Sequence, residues 1–163
     1  MTLDFNVIAT GLAAPVVVLL VKTLLDFSLA HVFVKYIGRI PVRSIFRDRP
    51  PYLFGPWEQI WGSAGSADFQ NDIDRHSHTL MSQFGRYCYA EHYSKGILYC
   101  MFGKIEGAYL IGTWYDKKDK HAYFGAFQLR IVDSNTLEGK YVGHSRRTGL
   151  IQQDDWNWKK VSN

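Results

Sequence analysis

Gly103–Asp116, GKIEGAYLIGTWYD, reads as two β-runs meeting at Glu106-Gly107. Glycine supplies the positive φ that a two-residue hairpin turn needs, so the runs on either side are expected to pair as antiparallel neighbours. The same grammar extends in both directions. Strand-type runs are expected at Trp57–Ala64, Ser77–Phe84, Arg86–Tyr93, Ile97–Ile105, Ala108–Tyr115, His121–Ile131, Thr136–His144 and Gln153–Lys160. Gly85 is either a turn or a bend inside one long strand. Asp116–Lys120 (DKKDK) and Asp133–Asn135 (DSN) read as solvated loops, and Ser66–Asp74 (SADFQNDID) as a longer connection. Turn signals at intervals of about 8 to 12 residues are the spacing of an antiparallel sandwich or barrel.

Side-chain alternation then assigns faces. Tyr123, Gly125, Phe127, Leu129 and Ile131 alternate against Phe124, Ala126, Gln128 and Arg130, and Leu137, Gly139, Tyr141 and Gly143 against Glu138, Lys140, Val142 and His144, so that one set faces in. Glycines recur beside aromatics at Gly103, Gly107, Gly112, Gly125, Gly139 and Gly143. Glycine within strands marks bends and close approaches, and repeated around a sheet it lets the strands coil far enough to close. The expected fold is all-β, a small antiparallel meander barrel of about eight strands preceded by an N-terminal transmembrane helix. A barrel of that size is either filled by side chains or holds one small ligand. Trp57, Trp61, Trp114, Trp156 and Trp158 on the strands are rings on which a base could stack, or the core of a small domain.

The N-terminal part is of another kind. Phe5–Val21 runs for seventeen residues without a charge, at the short edge of the roughly 17 to 25 needed to cross a hydrocarbon core of about 30 Å. Lys22 interrupts, Asp26 follows one helical turn later, and the apolar pattern resumes through Val34. One kinked helix over residues 5–36 is expected. No basic residue precedes the run, which argues against a cleavable signal peptide. The collar KYIGRIPVRSIFRDR, Lys35–Arg49, holds five Lys or Arg against one Asp. That asymmetry argues against a buried helix of a soluble core and, by the positive-inside rule, puts the N-terminus outside and the remainder in the cytoplasm. Pro50 and Pro51 end the collar. The expected organisation is a transmembrane helix in 1–36, a basic collar and linker in 37–54, and a cytoplasmic barrel in 55–163. Residues 35–51 carry a net charge of +4 of the chain's +4, the flanking parts cancelling. The basic character is therefore juxtamembrane, where it meets anionic headgroups, and duplex nucleic acid is not an expected partner.

Chemistry-bearing motifs are few. Cys88 and Cys100 fall on expected strands and read as free thiols. His76 and His78 share one face of a strand and would need a third ligand to hold a metal; solvent-facing polar residues are the plainer reading. No phosphate loop, nucleophile elbow or zincin helix occurs, so no enzyme activity, cofactor or metal is assigned.

The span Gly55–Lys160, through GPWEQIWG, GKIEGAYLIGTWYD, YFGAFQLRI, LEGKYVGHSRR and WNWKK, resembles the barrel domain of the two-transmembrane-plus-β-barrel effectors of bacterial cyclic-oligonucleotide antiphage systems, the CBASS type and its relatives. The resemblance implies a barrel that senses a cyclic di- or oligonucleotide, oligomerises and disrupts the inner membrane. The chain departs from that pattern in offering one span. A single helix can still assemble through Ala9 and Ala13 or Thr10 and Ala14, small residues at close-packing spacing, and Lys22 and Asp26 would be functional if they lie in the membrane. A cyclic dinucleotide needs cations, hydrogen-bond donors and stacking rings. The densest donor group is Gly143–Arg147 (GHSRR), with His144, Ser145, Arg146 and Arg147; Arg86, Tyr115, Arg130, Trp61 and Trp156 are further candidates. The alternative is a membrane-tethered, lipocalin-like barrel that binds an apolar ligand or scaffolds a protein partner.

Overall fold

The computed structural model describes residues 15–19, 29–38, 49–62, 71–145 and 149–161. The chain divides into two compact units, 1–33 and 34–163. In the first, residues 15–19 are helical, and a helix α1, Leu29–Ile37, begins there and ends in the second. No described helix is long and apolar enough to cross a membrane. Ala9, Thr10, Ala13, Ala14, Lys22 and Asp26 lie outside the described residues.

The second unit is a closed antiparallel barrel of eight strands in sequence order. They are β1 (Gly55–Trp61), β2 (His76–Phe84), β3 (Tyr87–Ser94), β4 (Ile97–Glu106), β5 (Tyr109–Asp116), β6 (Tyr123–Ile131), β7 (Thr136–Ser145) and β8 (Ile151–Lys160). All eight expected strands occur, with ends moved by up to three residues. Closure comes from β1 pairing with β8, in a register that sets Trp57 opposite Lys160 and Trp61 opposite Trp156. No edge strand is left for another chain to add to.

Tight turns explain the meander. The central hairpin turns at Gly107-Ala108, one residue beyond the expected Glu106-Gly107, because Glu106 still pairs with Tyr109. Gly107 has φ +60° and Ala108 is not in the positive region, the pattern of a type II′ turn. Gly85, with φ +58°, opens a turn of the same pattern, so β2 and β3 are separate strands. At Lys95-Gly96 both residues have positive φ, as a type I′ turn requires.

The alternating set expected on β6 and β7 faces inward. Leu53, Trp57, Met81, Met101, Leu110, Leu129, Leu137 and Trp158 are essentially inaccessible and form the core with Cys88, Ala90, Ile105, Phe127 and Trp156. Glycine makes room for the large rings. A Cβ on Gly103 would stand 2.9 Å from the Phe127 ring, and one on Gly143 would stand 2.6 Å from the Trp114 indole.

One barrel end is closed by the incoming linker. The Gln83 side chain, 4% exposed, accepts from the Leu53 amide at 2.7 Å and donates to the Pro51 and Gly85 carbonyls, both at 2.9 Å. Trp57 Nε1 donates to the Leu53 carbonyl at 2.7 Å, and Lys160 Nζ lies over the Tyr52 and Trp57 rings. These contacts hold Leu53 as a plug in the barrel end.

Candidate functional site

The opposite end is built from rings. It is the end at which β1, β3, β5 and β7 finish and β2, β4, β6 and β8 begin. Inside it, His92 of β3 stacks on Tyr99 of β4 (5.6 Å between centroids), Tyr99 meets Trp114 of β5 (6.0 Å), and Trp114 meets Tyr141 of β7 (5.9 Å). Tyr141 then meets Trp156 of β8 (5.9 Å), which returns to His92 (6.2 Å). The contacts form a closed belt, with Trp61 of β1 lying 5.7 Å from His92. The Trp114 ring fits because β6 and β7 contribute Gly125 and Gly143, and a side chain at either position would strike its indole.

Three buried polar atoms in this belt have no hydrogen-bond partner: His92 Nδ1, Trp114 Nε1 and Gln59 Nε2. Gln59 is fully buried, and its oxygen accepts from Trp156 Nε1 at 2.8 Å. Leaving such a group unpaired costs about 1 to 3 kcal/mol, so each of these three atoms is a point at which a hydrogen-bonding partner would be stabilising. Burial pushes the His92 pKa down to about 3, so its imidazole is neutral at physiological pH and offers one donor and one acceptor. The belt can stack a planar group and hydrogen-bond its edges.

Charge gathers at the mouth. Arg75 ends a 3-10 turn, Asp72–Arg75, ahead of β2; its guanidinium pairs with Asp72 while its Nε is buried and unpartnered. Burial pushes the Tyr141 hydroxyl up to about 12, with Asp154 adding to the shift and Arg75 opposing it, so both charges lie within electrostatic reach of the belt. The Asp116 carboxylate accepts from the Lys118 amide at 2.8 Å and shapes the adjoining loop.

The candidates from the sequence divide. Trp61 and Trp156 are in the belt. The loop between Ser145 and Ile151 springs from the same barrel end; Ser145 pairs with Tyr123 across β6–β7, and Arg146 and Arg147 lie outside the described residues. His144 is at this end on the outer face, its ring 5.1 Å from Phe124 and its Nδ1 buried without a partner. Arg86 sits in the β2–β3 turn at the plugged end, where its carbonyl accepts from the Ile105 amide at 2.7 Å. Arg130 is exposed on the outer face and pairs with Glu138 at 3.3 Å. Tyr115 also faces outward, packed beside Val34, Tyr89 and Cys100 with Lys120 Nζ 4.9 Å over its ring. His92, Gln59, Tyr99, Tyr141 and Arg75 are not among the sequence candidates: Gln59 and Tyr141 lie inside GPWEQIWG and LEGKYVGHSRR without standing out there, and only the folded barrel brings the five together.

A second polar cluster lies outside the barrel, where α1 ends. Glu91 Oε1 accepts from Lys35 Nζ at 2.6 Å, from Lys117 Nζ at 3.0 Å and from the Tyr89 hydroxyl. Burial pushes the Glu91 carboxyl up, but hydrogen bonds from Lys35, Tyr89 and Lys117 outweigh it and hold it at about 2. The Tyr89 hydroxyl, itself pushed well up by burial, also lies 3.3 Å from Cys100 Sγ. The collar's first lysine is thus clasped to β3 through Glu91, which it shares with Lys117 just beyond β5. Cys88 and Cys100 are free and buried, as expected.

The fold and this end define a closed eight-stranded meander barrel with an aromatic, partly unsatisfied enclosure. Comparison with known proteins finds no matching family model, no matching curated protein and no matching solved structure.

Proposed function

We propose that the protein is a membrane-anchored antiphage effector whose barrel senses a cyclic di- or oligonucleotide and drives homo-oligomerisation and disruption of the bacterial inner membrane. The observation that carries the reading is the belt of five rings with unpaired His92 Nδ1, Trp114 Nε1 and Gln59 Nε2. A nucleobase presents a π-face and an edge of donors and acceptors, which is what such an enclosure lacks. Arg75 at the mouth supplies a cation for the phosphates, and Arg146 and Arg147, between the end of β7 and the start of β8 in the sequence, are further cations for them. The basic collar anchors the N-terminal segment at the inner leaflet, with the N-terminus outside, and the Lys35–Glu91 clasp offers a mechanical link from collar to barrel.

The alternative, a lipocalin-like carrier of an apolar ligand, requires a deep apolar cup. Trp57, Trp158, Met81, Leu110 and Leu137 occupy that depth, and Leu53 plugs it. A thermal-shift panel on the full chain in detergent separates the two. Cyclic dinucleotides should raise the melting temperature, as RT ln(1 + [L]/Kd) requires for a native-state binder. Arg75→Ala and the pair Arg146→Ala and Arg147→Ala should reduce the shift. Fatty acids raising it while nucleotides do not would overturn the reading in favour of the carrier.

A further inference from the structure

The outer face of β1 and β2 carries a second constellation, independent of the belt. His76 and His78 are two residues apart on β2, so both project from the same face. Glu58 on β1 is directly opposite His78, and His76 is opposite Ile60, which puts Glu58 diagonal to His76 on that face. One donor atom from each of Glu58, His76 and His78 lies within 4.8 Å of the others. Glu58 Oε1 is 2.6 Å from His76 Nε2, and the two imidazole centroids are 5.3 Å apart.

The geometry points to a transition-metal site, with zinc as the fitting ion, held by Glu58, His76 and His78 and completed by water. Two imidazole nitrogens and one carboxylate oxygen are a recurrent zinc donor set in which three protein ligands leave a fourth position open. Bonds of about 2.0 to 2.2 Å put tetrahedral donors about 3.3 Å apart, which side-chain rotation alone reaches from a cluster of this size. The nitrogen-rich set disfavours magnesium and calcium, which take oxygen ligands. An ion pair between Glu58 and His76 uses only two of the three groups; a metal accounts for the second histidine as well. The ligands come from both strands flanking the 62–75 connection, so the ion would staple β1 to β2 at the base of that loop, on the side of the barrel mouth.

The test uses the full chain in detergent with Zn2+ as the only added ligand, followed by calorimetry and thermal melting, and Co2+ as a spectroscopic stand-in. The expected result is one saturable zinc per chain, a raised melting temperature, no shift with Mg2+, and ligand-field bands of a four-coordinate site with Co2+. His78→Ala and Glu58→Gln should each weaken zinc by at least about tenfold, the loss that removing even an outer partner of a metal ligand brings. Both sites are on the surface, so both variants should melt as wild type in a chelator. Absence of saturable zinc binding, an equal shift with Mg2+, or wild-type zinc affinity in Glu58→Gln and His78→Ala would overturn the site. None of these outcomes bears on nucleotide sensing, which is read at the other constellation.

Discussion

The two ends of the barrel are made from the same strands and solve opposite problems. At the plugged end, Leu53, Trp57, Trp158, Leu110 and Leu137 leave essentially no accessible surface, and Gln83 satisfies the linker backbone through two hydrogen bonds and the Gly85 carbonyl of the β2–β3 turn through a third. At the other end, rings enclose Gln59 Nε2, His92 Nδ1 and Trp114 Nε1 without satisfying them. Packing is complete at the plugged end, although Trp158 Nε1 is buried there without a partner, whereas the open end gathers several unpaired polar atoms in one aromatic enclosure. Rings line both ends, so aromatic content alone does not distinguish a core from a site, and neither does ring pairing by itself: Trp158 Nε1 is unpaired in the core while Trp156 Nε1 in the belt is held by Gln59.

Breaking the plugged end should have the largest effect. Trp57→Ala removes a fully buried ring together with the hydrogen bond to the Leu53 carbonyl. Chemical denaturation is expected to show a loss of about 3 to 5 kcal/mol, the range for large aromatic truncations in a core. Retention of wild-type stability would mean that the linker plug is not part of the folded core.

Acid should act on the open end. His92 has a folded pKa of about 3, below the ordinary imidazole value near 6.5, so the unfolded chain binds its proton first. The stability it contributes is complete above about pH 6.5 and is lost as pH falls from there toward 3; between pH 7 and pH 5 the loss is about 2 kcal/mol. Glu91, held at about 2, adds its own loss only below about pH 4.5, its unfolded value. Urea titrations at pH 7 and pH 5 check the first window, and His92→Asn should flatten the difference. An undiminished pH effect in that variant would place the titrating group elsewhere.

The smallest expected effect on stability sharpens the comparison most. Trp114→Phe deletes an unpaired buried N–H while keeping a ring against Tyr99 and Tyr141. Removing an unsatisfied donor offsets the lost ring area, so stability should change by less than about 1 kcal/mol. The nucleotide-induced thermal shift, by contrast, should shrink. A variant that is much less stable yet responds fully to nucleotide would show that Trp114 is core and the belt is not a site.

Much of the architecture was legible in local sequence because its causes are local. Period-two alternation along Tyr123–Ile131 and Thr136–His144, and turn residues at Gly85, Lys95-Gly96 and Gly107, act within a few residues of where they stand. Number of strands, their order and the all-β class followed from them. The displaced turn at Gly107-Ala108 shows the limit of that reading: glycine announces a positive φ, but cross-strand pairing of Glu106 with Tyr109 selects which two residues form the loop. Trp61 and Trp156 were recognisable as candidate rings, whereas Arg86 and Arg130 carry the right chemistry and stand at the plugged end or on the outer face.

Amino-acid order by itself determined a meander of eight short strands with free cysteines and a basic collar at residues 35–49, since alternation, turn chemistry and charge are written residue by residue. Tertiary structure alone decided that β1 closes on β8, and with it that Gln59 meets Trp156 across ninety-seven positions and that His92 is ringed by Tyr99, Trp61 and Trp156; the register of β1 on β2 decided that Glu58 joins His76 and His78. The physical reason is that the belt draws on strands distant in the chain, while the second constellation depends on the register between two neighbouring strands. Which side chains share an interior or a face depends on register and closure, and those are properties of the whole sheet.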